Sequence, residues 1–105
     1  MYRIDVSLKA RIDIAEAYDW FFDQSEDVAE QWLSTLTAAI QTLESLPKRC
    51  PIAPEAQYFP DNPPRQLLAG RYRILFEVRG DYVLVLHVRH VSRDYAQRED
   101  FDVTP

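Results

Sequence analysis

The sequence predicts one α+β domain over residues 1–105, with the element order β-α-α-β-β-β. Three observations predict it. Two segments with apolar residues three and four apart meet at Ser25, the pattern of an antiparallel helical hairpin. The opening residues and the stretch from Arg65 to His90 alternate with period two, as half-buried strands do. Gly80-Asp81 divides that last stretch and signals a tight β-hairpin. A largely antiparallel sheet with the helical hairpin on one face buries all of these apolar stripes together. At 105 residues the chain is long enough for one modest core and no more.

Each element has its own local reason. Tyr2, Ile4 and Val6 alternate with Arg3 and Asp5 in an opening strand. Ser7 is an N-cap for a helix running to Phe22, in which Ala10, Ile14, Ala17 and Phe21 form the inward stripe and Tyr18 and Phe22 widen it. Trp20 lies beside this stripe as an aromatic cover for the core edge. Ser25 caps a second helix, with Glu26 and Asp27 in the first turn, where the helix dipole favours carboxylates. Its stripe is Ala29, Trp32, Leu33, Leu36, Ile40 and Leu43, and it is expected to stop at Leu46 because the residue before Pro47 avoids the α region.

Six of the seven prolines fall between Pro47 and Pro64, and that stretch has no period. It is expected to be a surface connection without regular structure, pinned by Tyr58 and Phe59. Strands are then expected at Arg65–Ala69, Arg71–Arg79 and Tyr82–His90, with Gly70 permitting the first turn. Alternation places Tyr72, Ile74, Phe76 and Val78 on one face of the hairpin and Arg71, Arg73, Leu75, Glu77 and Arg79 on the other. In the last strand it groups Tyr82, Leu84, Leu86 and Val88 against Val83, Val85, His87 and Arg89. One face is core against the helices; the other is arginine-rich at its ends.

Net charge is −5, which on its own disfavours non-specific nucleic-acid binding. The charge is not evenly spread. Residues 1–64 carry 5 basic and 11 acidic side chains, residues 65–93 carry six arginines against Glu77 and Asp81, and residues 94–105 carry Arg98 against four acids. A basic segment therefore lies between two acidic ones. The longest apolar run, Tyr82–Leu86, is far short of the ~20 residues that span a bilayer, and the N-terminus has no secretory pattern. With the single Cys50 unable to form an internal disulfide, a cytoplasmic protein without membrane contact is expected.

Chemical motifs are sparse. His87 and His90, three apart on a strand, point to opposite faces and do not form a metal site together, so His87 reads as a hydrogen-bonded sheet residue. Ser92 beside His90 lacks the orienting carboxylate and oxyanion hole of a nucleophilic pair. Gly70 and Gly80 are the only glycines, which leaves no phosphate-binding loop. No metal or cofactor is expected. Cys50, between Arg49 and Pro51, has no paired base that would activate it.

The ordered set of residues resembles the RelE/ParE superfamily of toxins from type II toxin–antitoxin pairs, closest to the ParE-like, plasmid-stabilisation branch. The resemblance runs from Tyr2 to about Tyr95. It is carried by the opening strand, Ala10 and Asp13, Leu43-x-x-x-Pro47, Arg65, Leu68-x-Gly70-x-Tyr72-Arg73-Ile74-Leu75-Phe76, Gly80-Asp81-x-Val83 and His87-Val88-x-His90-x-x-Arg93. It implies a small cytoplasmic toxin neutralised by a cognate antitoxin that wraps across helices and sheet, as a homodimer or a toxin–antitoxin hetero-oligomer. Two targets are implied. RelE-like members are metal-independent ribonucleases acting on messenger RNA in the ribosome; ParE-like members poison DNA gyrase.

Metal-free RNA cleavage needs a base, cations for the phosphorane and an acid for the leaving oxygen. On this chain Arg73, Arg93 and His90 would fill those roles, with Tyr95 as a stacking or acid group. Two features oppose that assignment. The ribonuclease branch carries lysines on the strands facing RNA, where this chain has only Lys9 and Lys48, and the acids Asp94, Glu99, Asp100 and Asp102 follow the last strand. The ParE-like reading is therefore preferred, with Arg65, Arg71, Arg73, Arg89, His90 and Arg93 as the residues expected to contact target or antitoxin. A non-toxic, partner-binding member of the same fold is a further alternative. For Arg73 the competing structural reading is an ion pair with Glu77 or with an acidic helix residue.

Overall fold

The computed structural model describes residues 1–92. Strand β1 (Arg3–Val6) leads into helix α1 (Leu8–Phe22) and helix α2 (Glu26–Gln41), and β2 (Arg65–Ala69), β3 (Tyr72–Arg79) and β4 (Tyr82–His90) follow. The sheet order is β1-β4-β3-β2, with β1 parallel to β4 and the other pairs antiparallel. The α+β order expected from the sequence is the observed one.

Both predicted N-caps form. Ser7 Oγ accepts the Ala10 N–H at 3.1 Å and donates to the Leu86 carbonyl at 3.1 Å, so a fully buried hydroxyl starts α1 and ties it to β4. Ser25 Oγ accepts from the Val28 N–H at 3.5 Å. The Tyr18 hydroxyl donates to Glu30 across the hairpin at 2.5 Å, and this carboxylate holds the phenol above its ordinary pKa of 10.0. The helices cover one sheet face, burying Ala10, Leu36, Leu43, Ile74, Phe76, Val83, Val85 and Val88.

The structure corrects three expectations. First, α2 ends at Gln41, is extended by a 3₁₀ turn over Thr42–Glu44, and does not reach Leu46. Leu46 escapes the steric conflict with Pro47 by adopting φ 50°, with its side chain 75% exposed. Arg49 caps the exposed carbonyls, donating to Ser45 O at 2.8 Å and Leu46 O at 3.1 Å. A left-handed, non-glycine residue costs about 1–2 kcal/mol, and the glycine entropy penalty offsets part of any gain. Leu46→Gly is thus expected to stabilise the fold by about 0.5–1 kcal/mol, read as a higher urea midpoint at unchanged slope.

Second, residues 47–64 are not without structure. They form 3₁₀ turns at Pro47–Arg49 and Pro54–Tyr58 and run beside β2, with Ala53 N–H bonding Pro64 O at 2.9 Å and Gln66 N–H bonding Pro51 O at 3.0 Å. Its anchors are the buried Ala53, which packs on Leu75, and the buried Glu55; Tyr58 and Phe59 are only half-buried. Third, simple alternation fails in β4. A bulge at Leu75/Phe76 sets Leu75 opposite His87 and Phe76 opposite Val85, so Leu86 is the extra residue. The parity flips there, which is why Val83, Val85 and Val88 share the helix-side core. The opposite face of β3 is not a solvated arginine face either: Arg73, Leu75 and Glu77 are all buried.

A candidate groove between the helical hairpin and the sheet

A groove of about 1050 Å³ lies between the helical hairpin and the sheet, at the C-terminal end of β4. Its helix wall carries Lys9, Asp13, Glu16, Trp20, Phe21 and Trp32, and its sheet wall carries Arg71, Tyr72, His87, Arg89 and His90. Aromatic rings run along it in contact. Trp20 meets Phe21 edge-on at 5.0 Å between centroids, Phe21 lies 5.3 Å from Trp32, Trp32 lies 5.2 Å from Tyr72, and Tyr72 meets His90 edge-on at 5.2 Å. These spacings are those of favourable aromatic pairs, worth about 0.5–1.5 kcal/mol each beyond burial.

At the groove floor a polar chain joins helix to sheet. Asp13 Oδ2 accepts from His87 Nδ1 and from the Val88 N–H at 3.0 Å, and Asp13 Oδ1 pairs with Lys9 Nζ at 3.3 Å. His87 Nε2 lies 3.2 Å from Arg89 Nη1. A guanidinium only donates, so Nε2 is the acceptor and the imidazole proton sits on Nδ1, facing Asp13. The relay Asp13–His87–Arg89 fixes one arginine of the sheet wall. His90 is set differently: its Nδ1 accepts from the Ser92 N–H at 3.0 Å and from the Ser92 hydroxyl at 2.7 Å, which leaves Nε2 as the donor.

The residues expected from sequence divide into three groups. Arg71, Arg89 and His90 come together on the sheet wall. Arg65 and Arg73 do not join them. Arg65 Nη1 donates to the carbonyls of Cys50 at 2.7 Å and Lys48 at 3.2 Å, pinning the proline-rich segment. Arg73 is 5% exposed and grips the fully buried Glu55 through two bonds of 3.0 and 2.7 Å, with Gln66 Oε1 at 2.9 Å from Nη2. Its partner is therefore neither Glu77 nor a helix acid; Glu77 pairs with Arg79. Arg93 and Tyr95 lie outside the described residues. Sequence reading missed the Asp13–His87 pair and the Glu55 anchor. Both join residues with no shared period, 74 and 18 positions apart.

No described helix is long and apolar enough to cross a membrane. A strand, a two-helix hairpin and a three-stranded antiparallel unit, with the first strand parallel to the last, make up the fold. A chain titled "Chromosomal ParDE TA system from P. aeruginosa" matches it with a TM-score of 0.71 at 16% identity, covering 88% of this chain and 98% of that one. No curated protein sequence matches. The family model described as the ParE toxin of the type II toxin–antitoxin system, parDE, matches residues 4–95, and the chain belongs to this family.

Proposed function

We propose that this protein is the toxin of a type II pair, that it arrests growth by binding a protein target, DNA gyrase, and that a cognate antitoxin holds it inactive. The observation that carries the choice of target is the state of Arg73. On the ribonuclease alternative Arg73 would serve the phosphate, whereas here it is enclosed with Glu55 and Gln66 beneath the proline-rich segment. An anion that took its place would have to displace a buried carboxylate. The groove supports the same reading: aromatic anchors and a few arginines over a polar rim have the composition of a protein interface, not of a cationic RNA cradle.

Induction of the chain alone in a bacterium is expected to arrest growth with inhibited supercoiling and DNA-damage signs. Co-expression of the neighbouring antitoxin gene is expected to restore growth. Cleaved messages with normal supercoiling would overturn the gyrase reading, and harmless expression would overturn toxicity. Arg89→Glu is expected to abolish arrest while the circular dichroism stays native, because charge reversal at a partly buried interfacial arginine costs at least about 2–5 kcal/mol of binding. Undiminished arrest by that variant would remove the groove from the target interface.

A further inference from the structure

We infer that the outward face of α1 is a self-association surface, on which two copies of this chain pack antiparallel about a twofold axis at Ala15. Helix α1 is apolar on two opposite sides. Ala10, Ile14, Ala17 and Phe21 form the inward side and are buried or half-buried. With 3.6 residues per turn, Leu8, Ile12, Ala15, Asp19 and Phe22 line the opposite side, spaced four, three, four and three apart. That spacing is the narrow seam of a helix pair. Leu8 is 57%, Ile12 42% and Phe22 47% exposed, and Ala15 and Asp19 are exposed as well.

The seam is complementary to itself when reversed. Leu8 and Phe22 both lie seven positions from Ala15, so Leu8 of one copy meets Phe22 of the other. Ile12 and Tyr18, three positions away, pair in the same manner, and Arg11 and Asp19, four away, pair as opposite charges. Each pairing occurs twice, as an isologous interface requires. Within one helix Arg11 and Asp19 stand ~12 Å apart along the axis, and neither has a salt bridge among the described residues. Ala15 has no bulk to hold the two backbones apart. A hollow of about 310 Å³ at the middle of the seam, lined by Arg11, Ile14, Ala15, Tyr18, Asp19 and Leu33, receives Ile12 of the second copy. Tyr18 is already fixed by Glu30 and rests on Phe22, with ring centroids 6.1 Å apart. A face about 22 Å long and ~10 Å wide buries roughly 400–500 Å² per copy, the size of a reversible interface. Asp13, Glu16 and Trp20, which line the groove, lie on the flank of α1 between its two apolar sides. Pairing therefore leaves both grooves open, and the dimer presents two of them to a partner.

Association is measured on the isolated full chain and does not depend on the proposed target. Sedimentation equilibrium is expected to show the mass rising from 12.3 kDa toward twice that value, with a dissociation constant of about 10 µM. Ala15→Glu sets two carboxylates against each other at the axis and is expected to weaken association at least about thirtyfold. The position is exposed and glutamate is a good helix former, so circular dichroism should stay native. Arg11→Asp and Asp19→Arg each place like charges opposite one another twice, and each is expected to weaken association about tenfold. Arg11→Asp/Asp19→Arg together restores opposite charges and is expected to return to within about threefold of the parent. Across the ~12 Å within one helix the two side chains do not meet, so that recovery reports the second copy. Arg89→Glu, in the groove, is expected to leave association unchanged. A mass of 12.3 kDa at every concentration up to about 200 µM would overturn the inference. Association that survives Ala15→Glu would overturn this face, and a double variant as weak as its single parents would overturn the antiparallel register. Growth arrest is not the readout, so none of these results bears on gyrase.

Discussion

Arg73→Ala is expected to destabilise the protein by about 3–5 kcal/mol, the cost of leaving a buried charge without its partner. That charge is Glu55, which is fully buried and held by both terminal guanidinium nitrogens. Against a typical domain stability of about 5–15 kcal/mol, the variant would lose a large part of its folding free energy. Arg73→Lys is expected to recover little, since an ammonium is a point donor and cannot span both Glu55 oxygens and Gln66 as the planar fork does. The paired replacement Arg73→Met/Glu55→Leu removes both charges together and is expected to come within about 1–2 kcal/mol of the parent. Urea unfolding of the four proteins checks this. The double variant also separates structure from function: it should fold and still arrest growth, whereas a phosphate-binding Arg73 would leave it folded and harmless.

The same residue shows what the sequence carried and what it did not. Ser7 and Ser25 announced their helices because a capping bond is made within three residues. Tyr72, Ile74, Phe76 and Val78 announced the core face of β3 because period two is a local property. Arg73 sits in that alternation on the opposite face, and nothing local says whether that face meets water. Its cover is the proline-rich segment, whose partner Glu55 lies in a stretch without periodicity. The bulge at Leu75/Phe76 was illegible for a related reason: an extra residue leaves an alternating apolar run unchanged when both faces are apolar, as in Val83–Leu86. The arginine cluster of the sequence was thus half right as a place. Arg71, Arg89 and His90 share a wall, while Arg65 and Arg73 hold the fold together.

Asp13→Ala is expected to cost about 2–6 kcal/mol, because each buried donor left without an acceptor costs about 1–3 kcal/mol and Asp13 serves two, His87 Nδ1 and the Val88 N–H. Its carboxylate is 8% exposed, so water does not readily replace it. Asp13→Asn keeps one carbonyl oxygen and is expected to lose about half as much. The consequence reaches beyond stability. Asp13 is what keeps the imidazole proton on Nδ1, and that tautomer is what lets Nε2 accept from Arg89. Without it the ring is free to turn and the guanidinium loses its fixed position on the groove wall. Arrest should therefore weaken in Asp13→Ala by more than its folded fraction accounts for, measured at a temperature where the variant is fully native. His87→Gln, which can still donate to Asp13 but presents no second ring nitrogen to Arg89, should weaken arrest in the same way. If both variants arrest growth in proportion to folded protein alone, the relay serves only to join α1 to β4, and Arg89 acts without being positioned.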